Sequence, residues 1–256
     1  MQSADGRVER EAPTCDDGPV KVTALWRYPV KSMQGEALST AEVGPVGIVG
    51  DRGHALRDSV TGVVLTARRD PSLLFASGRV EGPDAVVHLP DGHETADDDV
   101  LSDWIGRPVE LIGPSGHADT YEIPADPEDD DSEILTWQGP AWSFHDSTRT
   151  QMSLVATGDL ADWEVRRFRP NLVLQADTAD RFVGHRLRFG TVEVDVVKHI
   201  DRCVIVTRPQ PGGIDRDLEV LRTVKRERNL MLGVGAMVRV QGEVAVGDPA
   251  EDLGPF

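Results

Sequence analysis

The sequence predicts a mainly β fold (α+β), arranged as an N-terminal β-barrel-like domain followed by a second β-barrel domain with a few helices. Short segments that alternate apolar and polar residues recur through both halves, as in Val20–Tyr28. Glycine and proline turns separate these segments at the spacing of a small β-barrel or sandwich. No βαβ unit repeats along the chain, which argues against a doubly wound fold.

The first half is predicted to consist mainly of short strands. A hairpin turn at 59–62 and a helical turn at 70–75, with Asp70 as its cap, interrupt them. A short amphipathic helix at 97–105 begins with aspartates and ends at Gly106. The predicted strands are 20–28, 38–43, 63–68, 76–80, 85–89 and 108–112.

An acidic stretch separates the two halves. Residues 113–133 are rich in glycine, proline and carboxylates, which is typical of a solvated loop. The predicted organisation is a disordered tail at 1–19, a first domain at 20–115, an acidic linker at 116–133 and a second domain at 134–256.

The second half is predicted to hold strands around one polar corner. A hairpin at 187–197 turns at Gly190 and leads into Lys198–Arg202, and an apolar strand is expected to resume at Cys203. The remaining predicted helices are 157–163, with a threonine cap, and 217–229. The remaining predicted strands are 152–156, 237–240 and 242–248, and the segment 166–174 is a basic cluster that runs into a further strand.

The composition of the chain narrows its possible partners. Its 256 residues are enough for one large or two small domains, and 39% hydrophobic with 28% charged residues fits a globular protein. A formal net charge of -17 repels nucleic acid and anionic membranes, so neither is an expected partner. Any cluster of cations in such a chain stands out as a candidate anion site.

Cysteine usage and the N-terminus predict a cytoplasmic protein. The only cysteines are Cys15 and Cys203, which excludes a disulfide framework and fits a reducing compartment. The first twenty residues lack the apolar core of a signal peptide. No apolar run approaches the roughly 20 residues that cross a bilayer.

Cys203 is the most informative single residue, because it follows Lys198, His199 and Arg202 closely. Cationic neighbours favour the thiolate, the form that attacks electrophiles or binds soft metals. From these residues alone Cys203 fits a packed core thiol, a nucleophile with His199 as base and Asp201 as orienting acid, or a zinc ligand.

A second set of residues has the chemistry of a phosphate site. Arg166, Arg167 and Arg169 lie within four positions, and Asn171 follows Pro170. Lys31, Ser32, Arg52 and Arg68 offer similar donors from the first half. Each arginine taken alone also fits a surface ion pair. The glycines at 44, 47, 50 and 53 match neither a dinucleotide nor a P-loop pattern, and we interpret them as turns.

These segments, in this order, resemble a known family. Tyr28–Met33, Gly50–Gly53 and Leu65–Arg68 are similar to the N-terminal β-barrel domain of MOSC proteins, a family named after the C-terminal part of molybdenum cofactor sulfurases. Phe168–Asn171, Arg202-Cys203 and Val246–Asp248 are similar to the MOSC domain itself. The resemblance covers about residues 20 to 253. Its layout is closest to the amidoxime-reducing components and their bacterial relatives.

The resemblance implies an oxidoreductase that binds the molybdenum cofactor (molybdopterin with its metal) and reduces N-hydroxylated small molecules. It implies that electrons come from a separate ferredoxin, flavodoxin or cytochrome b5-like donor with its reductase. It places Cys203 as the metal ligand, with Asp146 and His199 as candidate proton shuttles. The cofactor-binding residues that it implies are Lys31, Ser32, Arg52, Arg68, Thr157, Arg169, Asn171 and Arg202.

Two other functions fit the same residues. MOSC domains are also associated with sulfur delivery, so the chain fits a non-redox carrier of sulfur or cofactor with a persulfide on Cys203. A degenerate binding domain with a buried, inert Cys203 is the third hypothesis. The loop Thr207–Gly213 departs from the family pattern after the cysteine, so substrate preference does not carry over.

Overall fold

The computed structural model describes residues 19–126 and 132–256, and the prediction of a mainly β fold with a few helices is confirmed. Most of the predicted disordered tail, residues 1–18, and part of the predicted linker, residues 127–131, lie outside the described residues. Within the described ranges, no helix is long and apolar enough to span a membrane.

Nineteen strands are found among the described residues. They are β1 Val22–Arg27, β2 Glu36–Leu38, β3 Thr40–Gly44, β4 Gly47–Ile48, β5 Ala55–Asp58, β6 Val63–Val64, β7 Ser77–Glu81, β8 Asp84–His88, β9 Glu94–Thr95, β10 Val109–Ile112, β11 Thr120–Pro124, β12 Ile134–Gln138, β13 Met152–Ala156, β14 Leu172–Leu174, β15 His185–Phe189, β16 Val192–Asp201, β17 Met231–Val240, β18 Gly242–Ala245 and β19 Ala250–Pro255.

Helices are few and short in the same part of the chain. The α-helices are α1 Asp98–Ile105, α2 Thr157–Leu160 and α3 Leu218–Arg228. The 3-10 helices are Pro71–Phe75, Val165–Arg167, Asp180–Phe182 and Val204–Thr207.

The strands form one large sheet and three smaller ones. The eight-stranded sheet has the order β19-β15-β16-β17-β13-β14-β1-β2, and the five-stranded sheet has the order β10-β5-β6-β11-β12. Two three-stranded sheets have the orders β18-β3-β4 and β7-β8-β9. The main core packs on the eight-stranded sheet, where Leu154, Val194 and Val234 are fully buried.

The sheets do not separate at the predicted linker. Strands β1 and β2 belong to the predicted first domain, yet β1 pairs with β14 of the second. Strand β3 likewise pairs with β18. Residues 120–124 of the predicted linker form β11, and β12, at the start of the predicted second domain, pairs with it in the five-stranded sheet. The linker is therefore partly strand, because its alternating Thr120–Pro124 finds partners in β6 and β12.

Local capping signals give the helix ends in two places. Asp97 accepts hydrogen bonds from the amides of Asp99 and Val100, and α1 ends at Gly106 with a φ of 82°. Asp217 caps α3. Asp70, predicted to cap the turn at 70–75, makes no capping bond, because its carboxylate pairs with Arg107.

Two elements near the site differ from the prediction. Helix α2 ends at Leu160 instead of 163, since Ala161 leaves the helical region, and its cap position is Ala156 and not a threonine. Strand β16 continues through the predicted polar corner to Asp201, because β17 pairs with it as far as Met231, across several register shifts. The chain then enters the 3-10 helix Val204–Thr207, so no strand resumes at Cys203.

Candidate functional site

A cavity of about 190 Å³ lies where three buried clusters meet. Met152 belongs to the core of the large sheet, Leu74 to the cluster around α1 and Phe168 to the cluster around α3, and all three line the cavity. The cavity also brings together most of the residues that the sequence singled out. These are Lys31, Ser32, Arg52, Arg68, Asp146, Arg169, Arg202 and Cys203.

Cys203 is half-buried in the cavity wall, which argues against the packed core thiol, one of the roles that its sequence neighbours allowed. Its backbone carbonyl accepts a hydrogen bond from the amide of Val206, so the 3-10 turn fixes its position. Its Sγ accepts a hydrogen bond from Arg68 Nε at 3.2 Å. Burial lowers the pKa of Arg68, but Cys203 and Asp146 outweigh it and raise that pKa. The cavity therefore places a guanidinium donor directly against the Cys203 sulfur.

Lys31 is a buried cation, only 5% exposed. Its Nζ donates to the backbone oxygen of Phe144 at 2.9 Å and to Asp146 Oδ1 at 2.7 Å. Burial lowers the pKa of Lys31, and Asp146 opposes that effect. The loss of solvation at Asp146 would raise its pKa, but Lys31 and Arg68 outweigh it and hold the pKa below its usual range. The two side chains therefore form an ion pair in which each partner favours the charged form of the other.

Arg52 and Arg169 lie against the same aromatic ring. Their guanidinium carbons are 4.9 Å and 4.4 Å from the ring centre of Tyr28, which is 1% exposed. Arg52 Nη2 also donates to the backbone oxygen of Arg169 at 3.1 Å, and Arg169 Nη1 donates to that of Met33 at 2.6 Å. Burial, and then the neighbouring Arg52, lower the pKa of Arg169 to about 10. Two like charges are thus held close together at one end of the cavity.

Backbone strain is concentrated at this site. Among the described residues, six that are not glycine have a positive φ, and three of them line the cavity. These three are Ser32 at 67°, Arg52 at 48° and Arg169 at 51°. Such conformations are sparsely populated for residues with a Cβ, and they cluster at functional sites because the surrounding contacts impose them.

Arg202 anchors the wall beside the cysteine. Its Nε donates to the backbone oxygen of Leu232 and its Nη1 to that of Phe168, both at 2.8 Å. Its buried Nη2 has no hydrogen-bond partner among the described groups. Burial lowers the pKa of Arg202 to about 10. One donor of a buried cation is thus left for a ligand.

Three residues that the resemblance implied do not line the cavity. Thr157 is exposed and donates to the backbone oxygen of Ala176. Asn171 is fully buried, and its side-chain oxygen accepts bonds from Ser153. His199 lies 3.7 Å from Asp180 and outside the cavity, since side chains alternate along β16 and its neighbours 198 and 200 face the cavity instead. The placement of His199 argues against its predicted role as a proton shuttle.

The basic cluster at 166–169 divides in the structure. Arg169 enters the cavity as described, whereas Arg166 pairs with Glu164 and donates to the backbone oxygen of Pro211. Arg167 lines the cavity, but its guanidinium donates to backbone oxygens at Val206 and Asp215, and so holds the loop after the cysteine in place. Two of the three predicted arginines, Arg167 and Arg169, therefore line the cavity, while the guanidiniums of Arg166 and Arg167 stabilise loops.

Sequence reasoning missed several residues of the cavity wall. His145, Ser147 and Ser153 line it as well. His145 was adjacent to the predicted Asp146, and that adjacency was the one available signal. Within the described ranges, no group of three His, Cys, Asp or Glu side chains is arranged to hold a metal ion.

Comparisons with known proteins find two consecutive domains in this chain. Residues 20–105 match the family described as the MOSC N-terminal beta barrel domain, and residues 143–251 match the MOSC domain. The chain is 25% identical over 290 aligned positions to mitochondrial amidoxime-reducing component 1 of Homo sapiens, covering 91% of this chain and 83% of that protein.

Two solved structures are similar at a lower level. The YUAD protein from Bacillus subtilis has a TM-score of 0.42 and 11% identity, with 91% of this chain and 94% of that chain covered. YiiM from Geobacillus stearothermophilus has a TM-score of 0.35 and 15% identity, with 47% and 67% covered. The two domain matches follow one another in the same order as the sequence motifs, and the alignment with the human relative spans both. The chain belongs to the MOSC-domain proteins that carry an N-terminal MOSC β-barrel domain.

Proposed function

We propose that this protein is a molybdenum cofactor-dependent oxidoreductase that reduces N-hydroxylated or related N-oxygenated small molecules. The observation that carries the proposal is the meeting of Cys203 with Lys31, Arg52, Arg169 and Arg202 in one cavity. The human relative is named for amidoxime reduction, which supports this reaction class. A separate electron-donor protein, of the ferredoxin, flavodoxin or cytochrome b5-like kind, would supply the electrons.

The cavity residues fit the cofactor chemically. The phosphate and dithiolene groups of molybdopterin are anionic, and buried guanidinium and ammonium groups are the donors that suit them. Arg202 Nη2 is a buried donor without a hydrogen-bond partner among the described groups, which an anion would satisfy. Cys203 offers a soft thiolate, the ligand type that such a metal takes beside the cofactor's own sulfurs. Lys31, Arg52, Arg169 and Arg202 would hold the anionic part.

The bound cofactor would supply two-electron redox chemistry at its metal. The chain's own residues would bind and orient it and manage charge around it. Arg68 would orient the Cys203 sulfur through the hydrogen bond from its Nε. Asp146 accepts a hydrogen bond from Lys31 Nζ, which fixes that group at the cavity wall and favours its charged form. Removal of a hydroxyl oxygen as water consumes protons, so a proton-holding group in the wall is required.

Metal content tests the proposal directly. Full-length protein made in a host that synthesises the cofactor is expected to contain about one molybdenum per chain, because one Cys203 side chain serves as ligand. The Cys203→Ala variant should lose most of the metal, and Cys15→Ala, the other cysteine of the chain, should retain it. A folded wild-type protein without molybdenum, or equal metal in the Cys203→Ala variant, would contradict the proposal.

The same preparations separate the carrier hypothesis. A sulfur or cofactor carrier would show a persulfide on Cys203 by mass spectrometry and no reduction of an N-hydroxylated probe. The name of the human relative favours the reductase over the carrier. We therefore expect a metal-bound Cys203 and activity with an amidoxime once a reduced electron donor is added.

A further inference from the structure

His145 is a cavity residue that the cofactor chemistry leaves without a role. The residue is 7% exposed, and its neighbour Phe144 is held at both its backbone amide and its backbone oxygen. The amide of Phe144 donates to the backbone oxygen of Arg52 at 2.8 Å, and the oxygen of Phe144 accepts from Lys31 Nζ at 2.9 Å. The imidazole packs against Trp142 with ring centres 5.5 Å apart. It is therefore fixed beside two of the cavity's cations.

The ring nitrogen Nε2 of His145 is buried and has no hydrogen-bond partner among the described groups. Asp51 Oδ2 lies 3.7 Å away, and the Asp51 side chain is only 1% exposed. Asp51 is itself held in place, because its Oδ1 accepts the amide of Tyr28 at 2.8 Å. A buried carboxylate thus stands next to a ring nitrogen that is a donor in the imidazolium, whose two ring nitrogens both carry protons.

The charges around His145 oppose a proton when only the protein's own groups act on it. Burial and the cations Arg52 and Lys31 disfavour the imidazolium, whereas Asp51 and Asp146 favour it. Burial is the largest of these influences, and together they lower the pKa of His145 to about 3. An anion bound against Arg52 and Lys31 would compensate both opposing cations and add an attraction of its own.

We infer that this cavity is a proton-coupled anion site, in which binding of a tetrahedral dianion is accompanied by uptake of one proton by the imidazole of His145. The proton comes from solvent, and the imidazolium then pairs with Asp51. The inference rests on the anion-binding part of the proposed function and not on its metal. The affinity for a dianion should accordingly rise as the pH falls.

Sulfate is the appropriate probe, because it stays a dianion across the range used and any proton taken up belongs to the protein. Isothermal titration calorimetry would use the full chain from a host that makes no molybdenum cofactor. If binding restores the pKa of His145 to its ordinary value near 6.5, sulfate should bind about tenfold more tightly at about pH 5.5 than at about pH 7.5. The heat of binding should also depend on the ionisation enthalpy of the buffer.

His145→Gln should abolish both the pH dependence and the buffer dependence, whereas His93→Gln, an exposed histidine between β8 and β9, should change neither. Equal pH dependence in wild type and His145→Gln would overturn the inference, and so would the absence of sulfate binding at about pH 5.5. If the glutamine variant fails to fold, NMR titration of the wild-type imidazoles decides. The pKa of one buried histidine must rise on addition of sulfate, and no such rise would refute the inference. Metal content is measured separately, so loss of molybdenum alone would contradict only the proposed function.

Discussion

Tyr28 is expected to set the spacing of the two arginines that hold the anionic part of a ligand. Its buried ring contacts the Arg52 and Arg169 guanidiniums, and its hydroxyl has no hydrogen-bond partner among the described groups. The ring therefore stabilises the fold through its faces, while the hydroxyl contributes little. Replacement by leucine removes two cation–π contacts, each about 1–2 kcal/mol when desolvated, and leaves two like charges without the ring beside them.

The Tyr28→Leu variant should therefore lose about 3 kcal/mol of unfolding free energy, and its sulfate affinity should fall roughly tenfold. Tyr28→Phe is the matched control, because it keeps the ring and removes only a buried hydroxyl without a partner. We expect Tyr28→Phe to be as stable as wild type or about 1 kcal/mol more stable. Urea unfolding and sulfate calorimetry measure the two quantities. If Tyr28→Phe were as damaging as Tyr28→Leu, the hydroxyl and not the ring would be the important group, and the reasoning would be wrong.

Three further predictions concern stability. Asp159→Ala should lose about 3 kcal/mol of unfolding free energy, because the buried Asp159 carboxylate accepts hydrogen bonds from two backbone amides and an arginine. The control Asp162→Ala, at an exposed position, should stay within about 0.5 kcal/mol of wild type in urea unfolding. Gly233→Ala should cost about 2 kcal/mol more than Gly247→Ala in the same assay, since both have positive φ but only at Gly233 would a Cβ meet a backbone oxygen, 2.7 Å away. His145 is protonated more readily in the unfolded chain than in the folded one, so the folded state loses stability as the pH falls below about 6.5. Without sulfate, the unfolding free energy of His145→Gln should therefore rise by about 3 kcal/mol relative to that of wild type between pH 7 and pH 4. A difference that does not change with pH would contradict the low pKa of His145.

The sequence predicted helix ends and turns correctly where the residues that determine them are adjacent in the chain. The cap at Asp97 and the terminal Gly106 give both ends of α1, and Gly190, with a φ of 52°, marks the β15–β16 turn. The course of β16 through Asp201 was not predictable in the same way, because its partner β17 lies thirty residues further along the chain. Residues 198–202 are polar, and local periodicity therefore predicted a corner there. Hydrogen bonding to β17 keeps the segment extended as far as Asp201 in spite of that polar character.

At the cavity, too, the sequence identified residues of the site but did not show which of their side chains line the wall. Motif resemblance found Lys31, Arg52 and Cys203, whose side chains meet from distant segments, but it included Thr157 and Asn171, which lie outside the wall. Asn171 has a different task there. Its side-chain oxygen accepts bonds from Ser153 and its amide donates to the backbone oxygen of Trp26, so it joins β13 and β1 on either side of β14. A residue can thus be essential to a site by fixing its strands without contacting what the site binds.

The strained backbone at Ser32, Arg52 and Arg169 connects these observations. A left-handed residue with a side chain costs about 1–3 kcal/mol, and three such residues in one wall persist only because long-range contacts impose them. Ser32 accepts the amide of Ala67 at 3.0 Å, and Arg52 donates to the backbone of Arg169 across more than a hundred residues of chain. The cations are therefore positioned before any ligand arrives. A preorganised cationic wall lowers the cost of ordering on binding, so an anion can be held in a strongly acidic protein without rearrangement of the site.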